Sequence, residues 1–146
     1  MSAESFRGRI PADRVYDPEH DMWVMTEAVG GHVRIGATAF GLHLAGRIIG
    51  FTAKPRGARV ERGRGLGTVE CAKTVLAVHA PLGFELVEAN EAAEERPDLL
   101  NRDPYDAGWM ARGRPLDWPA DSARLVDAAT YRAQVLRLDP AAEILP

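Results

Sequence analysis

The sequence has one cysteine, two lysines and no long apolar run. The single Cys71 excludes an internal disulfide bond and a zinc cluster of cysteines, and it fits a reducing compartment. No apolar stretch reaches the roughly 18 residues that cross a bilayer, and residues 1–10 lack the apolar core of a signal peptide. These absences predict a soluble, cytoplasmic protein that does not enter a membrane.

Serine is also scarce, and the four histidines are scattered. Ser2, Ser5 and Ser122 form no nucleophile elbow and no Ser-His-Asp pattern, so we expect no catalysis by this chain alone. His20, His32, His43 and His79 lack the short paired spacing of zinc sites, and we predict no metal site. The formal net charge of -3 gives no basic footprint for nucleic acid or an anionic membrane.

A length of 146 residues with 46% hydrophobic residues suits one domain with one core. No linker rich in glycine, serine or proline divides the chain. We predict a loose leader over residues 1–12, a domain over residues 13–117, and a helical extension over residues 118–146 that packs on the domain. Many short runs of β-branched residues between glycine turns predict a mainly β fold, a small sandwich or barrel.

The expected elements follow from side-chain spacing and from turn residues. Thr38 is expected to cap a short middle helix that ends at Gly46 and has Phe40 and Leu44 on its inner face. Asn90 is expected to cap a surface helix. A turn is expected at residues 28–31. The strands are predicted at residues 14–17, 22–26, 32–36, 47–53, 58–61, 84–88 and 109–114. The helices are predicted at residues 38–45, 90–96 and 123–138, the last with Leu125, Ala129, Tyr131, Val135 and Leu138 on one face.

Residues 67–81 are the most informative stretch, because two runs rich in β-branched residues surround Ala72 and Lys73. This pattern predicts a hairpin with Lys73 at its exposed tip. The chain has sixteen arginines, but its only lysines are Lys54 and Lys73. Where only positive charge is needed, such a chain can use arginine. An amine at a hairpin tip can be acylated, whereas a guanidinium is a poor acyl acceptor.

Several blocks carry a resemblance to a known family. They are Glu70-Cys-Ala-Lys73, Ala80-Pro81, Leu86-Val-Glu-Ala-Asn-Glu91, Pro97-Asp-Leu-Leu-Asn101 and Asp103-Pro-Tyr-Asp-Ala-Gly-Trp109. In this order, over roughly residues 14 to 115, the chain resembles the glycine-cleavage H-protein family of lipoyl carriers. The resemblance implies the hybrid barrel-sandwich of lipoyl and biotinyl carriers. It also implies covalent lipoate on Lys73, with Glu70, Cys71 and Ala72 as the context of the acceptor.

The same resemblance implies a carrier without catalysis of its own. Its arm would shuttle an aminomethyl group between glycine decarboxylase, aminomethyltransferase and dihydrolipoamide dehydrogenase, after a lipoate ligase or transferase had loaded it. A face of the carrier is expected to shelter the loaded arm. Biotin acceptors of this fold flank the lysine with methionine, whereas Ala72 and Thr74 flank Lys73.

Two departures leave alternatives open. The family usually has His-Glu-Trp-Val where this chain has His20-Asp-Met-Trp-Val24. In addition, Ala45-Gly-Arg-Ile-Ile49 and Thr52-Ala-Lys-Pro-Arg56 look more like the H-protein-like lipoate-binding proteins of heterodisulfide-reductase-like sulfur oxidation, whose partners are sulfur-transfer subunits. A third hypothesis is an interaction module that keeps the scaffold without lipoate. The sequence leaves the choice of pathway open.

Overall fold

The computed structural model describes residues 4–27 and 30–146, and the elements below belong to that part of the chain. The strands are β1 (Arg7–Arg9), β2 (Val15–Asp17), β3 (Met22–Thr26), β4 (Val33–Ala37), β5 (Ile48–Ala53), β6 (Arg59–Val60), β7 (Gly65–Cys71), β8 (Val75–His79), β9 (Phe84–Ala89), β10 (Ala111–Pro115) and β11 (Glu143–Leu145). The helices are α1 (Ala39–Ala45), α2 (Glu91–Glu95), α3 (Asp98–Arg102), α4 (Trp118–Ser122) and α5 (Ala128–Leu138).

The described strands form three sheets. Six strands are ordered β2-β3-β4-β10-β9-β6, three are ordered β5-β7-β8, and β1 pairs with β11. The two larger sheets bury their apolar faces against each other. Val24 and Ile35 come from the larger sheet, and Phe51, Leu66 and Val69 come from the smaller one. The predicted mainly β architecture is confirmed, because strands on both sides supply the main core.

Most of the predicted strands and helices are present at the positions that the side-chain spacing predicted. The seven strands predicted outside the hairpin are present to within two residues at each end. Thr38 caps α1, since its hydroxyl accepts a hydrogen bond of 3.0 Å from the amide of Gly41, and Gly46 ends the helix with a φ of 92°. The turn predicted at residues 28–31 includes Ala28 and Val29, which lie outside the described residues. Its flanking strands β3 and β4 pair antiparallel as expected.

A second, aromatic core lies on the outer side of β3. Trp23 and Val24 follow each other in this strand, and Trp23 faces the aromatic core while Val24 faces the main core. Tyr131 of α5 stacks on Tyr16 with ring centroids 4.8 Å apart. Its hydroxyl lies 2.7 Å from Thr38 Oγ1 and donates a hydrogen bond of 2.8 Å to Asp21 Oδ1. Helix α5 is therefore linked by the Tyr131 hydroxyl to Thr38, the residue that caps α1.

The expected loose leader is wrong for residues 6–9. Phe6 is 2% exposed in the aromatic core, and β1 pairs in parallel with β11, matching Arg7 with Glu143 and Arg9 with Leu145. The amide of Phe6 also donates to Asp139 Oδ2. The side chain of Phe6 packs edge-on against Phe40 of α1, and its backbone is bound by the returning end of the chain. Residues 1–3 lie outside the described residues.

The extension over residues 118–146 is helical only in part, because it contains α4, α5 and β11. The helix predicted from residue 123 begins at Ala128, since Asp127 accepts a hydrogen bond of 2.8 Å from the amide of Thr130 and caps it there. Of its predicted inner face, Tyr131 and Val135 are buried, whereas Leu138 is 64% exposed. The eleven residues of α5 thus present a narrower apolar stripe than the spacing suggested.

Two further expectations about helices need correction, and one helix was not predicted. Leu44 is 63% exposed, whereas Phe40 is buried in the aromatic core and Leu42 in the main core, on two different sides of α1. Asn90 precedes α2, but its side chain donates to the carbonyls of Ala107 and Trp109 instead of capping the helix. Arg96 follows α2, and Pro97 then forms the N-cap of a further helix, α3, which the side-chain spacing did not indicate. Proline suits a helix start because the first amides of a helix need no internal acceptor.

Every helix within residues 4–27 and 30–146 falls short of the length and apolar character that a bilayer crossing demands.

We expect Tyr131→Phe to lower the free energy of unfolding by about 1–3 kcal/mol, because Asp21 and Thr38 would each lose the tyrosine hydroxyl as a partner in a buried site. Urea denaturation followed by circular dichroism measures this loss. Ala133→Ser, at an exposed position of the same helix, serves as the control and should stay within about 0.5 kcal/mol of wild type. Equal stability of Tyr131→Phe and wild type would show that the hydrogen bonds of this hydroxyl do not stabilise the protein.

Candidate functional site

A three-residue tip joins β7 to β8. Residues 72–74 lie between the two strands, and the amide of Cys71 donates a hydrogen bond of 2.9 Å to the carbonyl of Thr74. Glu70 and Val75 form the last pair of the ladder before the tip. Strand β7 also pairs along its other edge with β5, so a third strand supports the hairpin. The tip is short and is held by a three-stranded sheet.

Lys73 lies in the middle of this tip and is exposed, together with Ala72 and Thr74. The other lysine, Lys54, is exposed in the loop that follows β5. The structure thus has Lys73 at the exposed end of a hairpin, as its flanking residues predicted. Its modification remains a prediction.

Glu70 lies on the outer surface of the small sheet, beside Gly50 of β5. A Cβ atom added to Gly50 would lie 2.9 Å from Glu70 Oε2 and 3.1 Å from Glu70 Cβ. The absence of a side chain at Gly50 therefore makes room for the glutamate to lie across the neighbouring strand. The Glu70 side chain thus lies over Gly50, three residues before Lys73.

Cys71 points to the opposite face of β7 and is 7% exposed, within the main core. A thiol in this position packs as a small apolar side chain. The burial favours this packing role over exchange with a sulfur-bearing group outside the protein. The residues of the predicted acceptor motif thus separate into an inward Cys71 and the exposed Glu70, Ala72 and Lys73.

The backbones of β5 and β7 approach closely at Gly67. A Cβ atom at this position would lie 2.4 Å from the carbonyl oxygen of Thr52 and 2.9 Å from the Cα of Ala53. Both contacts are with backbone, which cannot rotate away as a side chain can. In contrast, a Cβ atom at Gly65, two residues earlier in the same strand, would meet only ordinary contacts at 3.8 Å. The pairing that supports the hairpin therefore requires glycine at position 67.

A cleft of about 150 Å³ lies between the hairpin, the start of β3 and helix α1. Its polar lining residues, among those described, are His20, Asp21 and His79. The apolar residues that line it include Met22, Leu42, Ala45, Ile48, Val69, Leu76, Val78 and Met110. This combination suits a narrow apolar group that ends in a polar or charged atom.

Asp21 is the carboxylate of this cleft. Its φ of 57° lies in the left-handed region, which aspartate enters more readily than most residues. Its backbone carbonyl accepts a hydrogen bond of 2.9 Å from the amide of Thr38, and its side chain accepts one from Tyr131. Burial raises the pKa of the Asp21 carboxyl above its ordinary value, while the hydrogen bond from Tyr131 opposes part of this shift. A cation bound beside Asp21 would favour its charged form.

Two histidines that are far apart in the sequence meet at the rim of the cleft. The rings of His20 and His79 stack with centroids 4.8 Å apart and an interplanar angle of 25°. His43 instead packs against Phe6 and Phe40, and His32 contacts Arg112. Sequence spacing gave no sign of the His20–His79 contact, because it arises from the packing of two sheets.

Comparisons with known proteins agree with one another. A family model described as "Glycine cleavage H-protein" matches residues 14–137. The chain is 38% identical to glycine cleavage system H protein 2 of Aquifex aeolicus over 84% of this chain and 76% of that protein. It is 37% identical to the glycine cleavage system H protein of Thermus thermophilus over 84% of this chain and 93% of that protein.

A solved structure is similar as well. The crystal structure of a glycine cleavage system H protein from Mycobacterium marinum matches with a TM-score of 0.73 and 31% sequence identity. The match covers 86% of this chain and 98% of that one. The backbone similarity therefore extends well beyond the hairpin.

We expect Gly67→Ala to destabilise the protein by about 1–3 kcal/mol, because its methyl group would force the backbones of β5 and β7 apart. Gly65→Ala is the matched control, since the same methyl group fits at that position. Urea midpoints of the two variants test the difference. Equal midpoints would show that the close approach at Gly67 does not constrain the sheet.

Proposed function

Because the chain belongs to the glycine cleavage H-protein family, we propose that it is a lipoyl carrier whose acceptor residue is Lys73. The observation that carries this proposal is the exposed amine at the tip of a hairpin supported by a third strand. An amine in this position is open to a modifying enzyme. Because the tip is short, the point at which the arm is attached has a fixed position.

The residues present suit lipoate in this position. When bound, the lipoyl group supplies a dithiolane that takes up and releases the transferred group, an aminomethyl group in glycine cleavage. The hairpin confines the arm to the space around the carrier, which raises its effective concentration at a docked partner. The partner enzymes supply the catalysis, and this chain acts as a carrier subunit.

The surface beside the tip provides a docking area for those partners. Ile49 of β5 is 52% exposed and Val75 of β8 is 61% exposed. Exposed apolar side chains at the end of an edge strand favour contact with another protein. We propose that glycine decarboxylase, aminomethyltransferase, dihydrolipoamide dehydrogenase and the lipoylating enzyme approach this end of the small sheet.

The cleft under the hairpin is proposed as the shelter of the loaded arm. Leu76 lines the cleft and is three residues from Lys73, which is roughly 10 Å along an extended chain. The apolar walls would exclude water from the arm. Asp21 would accept hydrogen bonds from a cationic terminal group, since its carboxylate lies in the cleft and already has one partner in Tyr131.

A second candidate is a carrier of the sulfur-oxidising, heterodisulfide-reductase-like type. The observation that favours it is the exposed basic turn after β5, where Lys54 and Arg56 border a separate cleft of about 680 Å³. A basic turn would select partners by complementary charge. Loading of the lipoylated chain by glycine decarboxylase in the presence of glycine distinguishes the two pathways, because only the first candidate predicts it.

We expect Lys73→Arg to keep the fold and to abolish lipoylation, because a guanidinium is a poor acyl acceptor. Lys54→Arg is the matched control, since it alters the only other lysine, and it should accept lipoate like wild type. Intact mass after incubation with a lipoate ligase measures both. Uptake by Lys73→Arg would refute the assignment of the site. Absence of uptake by wild type would favour the non-lipoylated interaction module.

We expect Asp21→Asn to shorten the lifetime of the aminomethyl-loaded carrier by about tenfold or more, because a hydrogen bond to a charged group contributes about 1.5–3 kcal/mol and each 1.36 kcal/mol is a factor of about ten. Formaldehyde released by hydrolysis of the loaded arm measures that lifetime. Asp106→Asn, which alters an exposed carboxylate outside the cleft, is the control. If both variants release formaldehyde at the wild-type rate, Asp21 does not shelter the arm.

A further inference from the structure

Residues 54–64, which we call the basic end, contain a local concentration of positive charge. They include five basic residues and one acidic residue, Glu61, whereas the whole chain has 18 basic and 21 acidic residues. The five basic residues are Lys54, Arg56, Arg59, Arg62 and Arg64. A protein with a formal net charge of -3 thus has one markedly basic segment.

The basic end joins β5 to β7, and its backbone is bound to both larger sheets. The amide of Lys54 donates a hydrogen bond of 2.9 Å to the carbonyl of Leu66 in β7, and the amide of Gly57 donates one of 2.8 Å to the carbonyl of Leu86 in β9. Between these contacts Val60 is 1% exposed in the main core. A backbone that is already held in place loses little conformational entropy when a partner binds.

Most of the positive charge of the basic end is open to an outside partner. Four of its five basic side chains are exposed: Lys54, Arg56, Arg59 and Arg64. Within residues 4–27 and 30–146, Arg62 is the one of the five with a carboxylate at ion-pair distance, Glu19 Oε2 at 3.8 Å. Arg59 lies opposite Glu85 in the ladder of β6 and β9, but Glu85 Oε1 accepts a hydrogen bond of 3.2 Å from Arg114.

The composition of the basic end favours a protein partner over nucleic acid or a membrane. The segment contains no aromatic residue that could stack on a base, and its only large aliphatic residue, Val60, is buried and cannot insert into a bilayer. Three glutamates line the cleft that Lys54 and Arg56 border: Glu88, Glu91 and Glu94. They would repel a phosphate backbone that continued past the basic residues. A short acidic peptide segment can end before it reaches them.

The basic end and Lys73 lie at opposite ends of β7. Arg64 precedes this strand, and the tip at residues 72–74 follows it. The seven residues of β7 separate the two by roughly 20 Å, at the usual rise of a strand. A partner segment of a few residues that binds at the basic end therefore leaves the lysine amine accessible.

We propose that the basic end is a docking surface for a short acidic segment of a partner protein. Aspartate and glutamate side chains of that segment pair with the exposed arginines, whose guanidinium groups can bind a carboxylate through two hydrogen bonds. The binding does not depend on lipoylation of Lys73. Its use rests on the proposed carrier function, because a carrier held at this end keeps its hairpin tip free to enter an active site.

The experiment uses the full chain without lipoate, with a fluorescein-labelled peptide of about ten glutamates as the probe. Fluorescence anisotropy at roughly 0.1 M salt, where exposed charges more than about 10 Å apart are screened, should show saturable binding. The double variant Arg56→Glu/Arg64→Glu should bind the peptide at least about tenfold more weakly, because two attractive charges become repulsive.

The matched control is Arg132→Glu/Arg137→Glu, which changes the net charge equally at two exposed positions of α5. Its affinity should stay within about threefold of wild type, since α5 packs on the aromatic core and is separate from the basic end. Urea midpoints of both double variants check that weakened binding does not come from unfolding.

Two further measurements test the class of partner and its position. A labelled oligothymidine of about ten nucleotides should bind more weakly than the peptide, and the peptide should shift the amide resonances of residues 54–64 but not those of residues 72–74. The proposal is overturned if wild type does not bind the peptide saturably, if the two double variants bind it equally, if the oligothymidine binds more tightly, or if the shifts centre on residues 72–74. Lipoate uptake by Lys73 is measured separately by intact mass, so that a failure of the carrier function is distinguishable from a failure of this proposal.

Discussion

The burial of one face of β7 is the constraint on which the candidate site depends. Leu66, Val69 and Cys71 anchor this strand in the main core, and its two edges are occupied by β5 and β8. The strand can therefore neither slide nor rotate without moving apolar side chains into water. Because the anchor ends at Cys71, the tip that follows it projects from a fixed edge. The backbone of Lys73 therefore has a defined position at the end of the sheet.

The aromatic core acts on the same site from the other side. Tyr131 brings α5 against Thr38 and Asp21, so the C-terminal helix supports both the start of α1 and the carboxylate of the cleft. The main core fixes the position of the hairpin, and the aromatic core fixes the position of Asp21 and of the start of α1 on the other side of the cleft. A change in α5 can thus alter the cleft although no residue of α5 lines it. Helix α5, which lies outside the sequence blocks that carry the resemblance, thus supports the residues of the proposed cleft.

Local patterns predicted the local parts of this structure. Thr38, Gly46 and the β-branched runs around Lys73 gave the cap, the helix end and the hairpin, because turn chemistry and strand propensity act over a few residues. Contacts between residues that are far apart in the sequence gave no comparable local pattern. Neither the return of β11 to β1 nor the meeting of His20 with His79 follows from spacing. The exposure of Leu44 was missed for the same reason, since two inward faces are available to α1.

The parallel pair of β1 and β11 joins segments that are far apart along the chain: the bond between Phe6 and Asp139 spans 133 residues. During synthesis β1 has no strand partner until β11, which follows it by most of the described chain, has emerged. Closure of such a long loop is slow compared with the formation of the central hairpins. Phe6 can pack against Phe40 and His43 of α1 before then, whereas the strand pairing of β1 and the hydrogen bond to Asp139 form only after the chain through β11 has emerged.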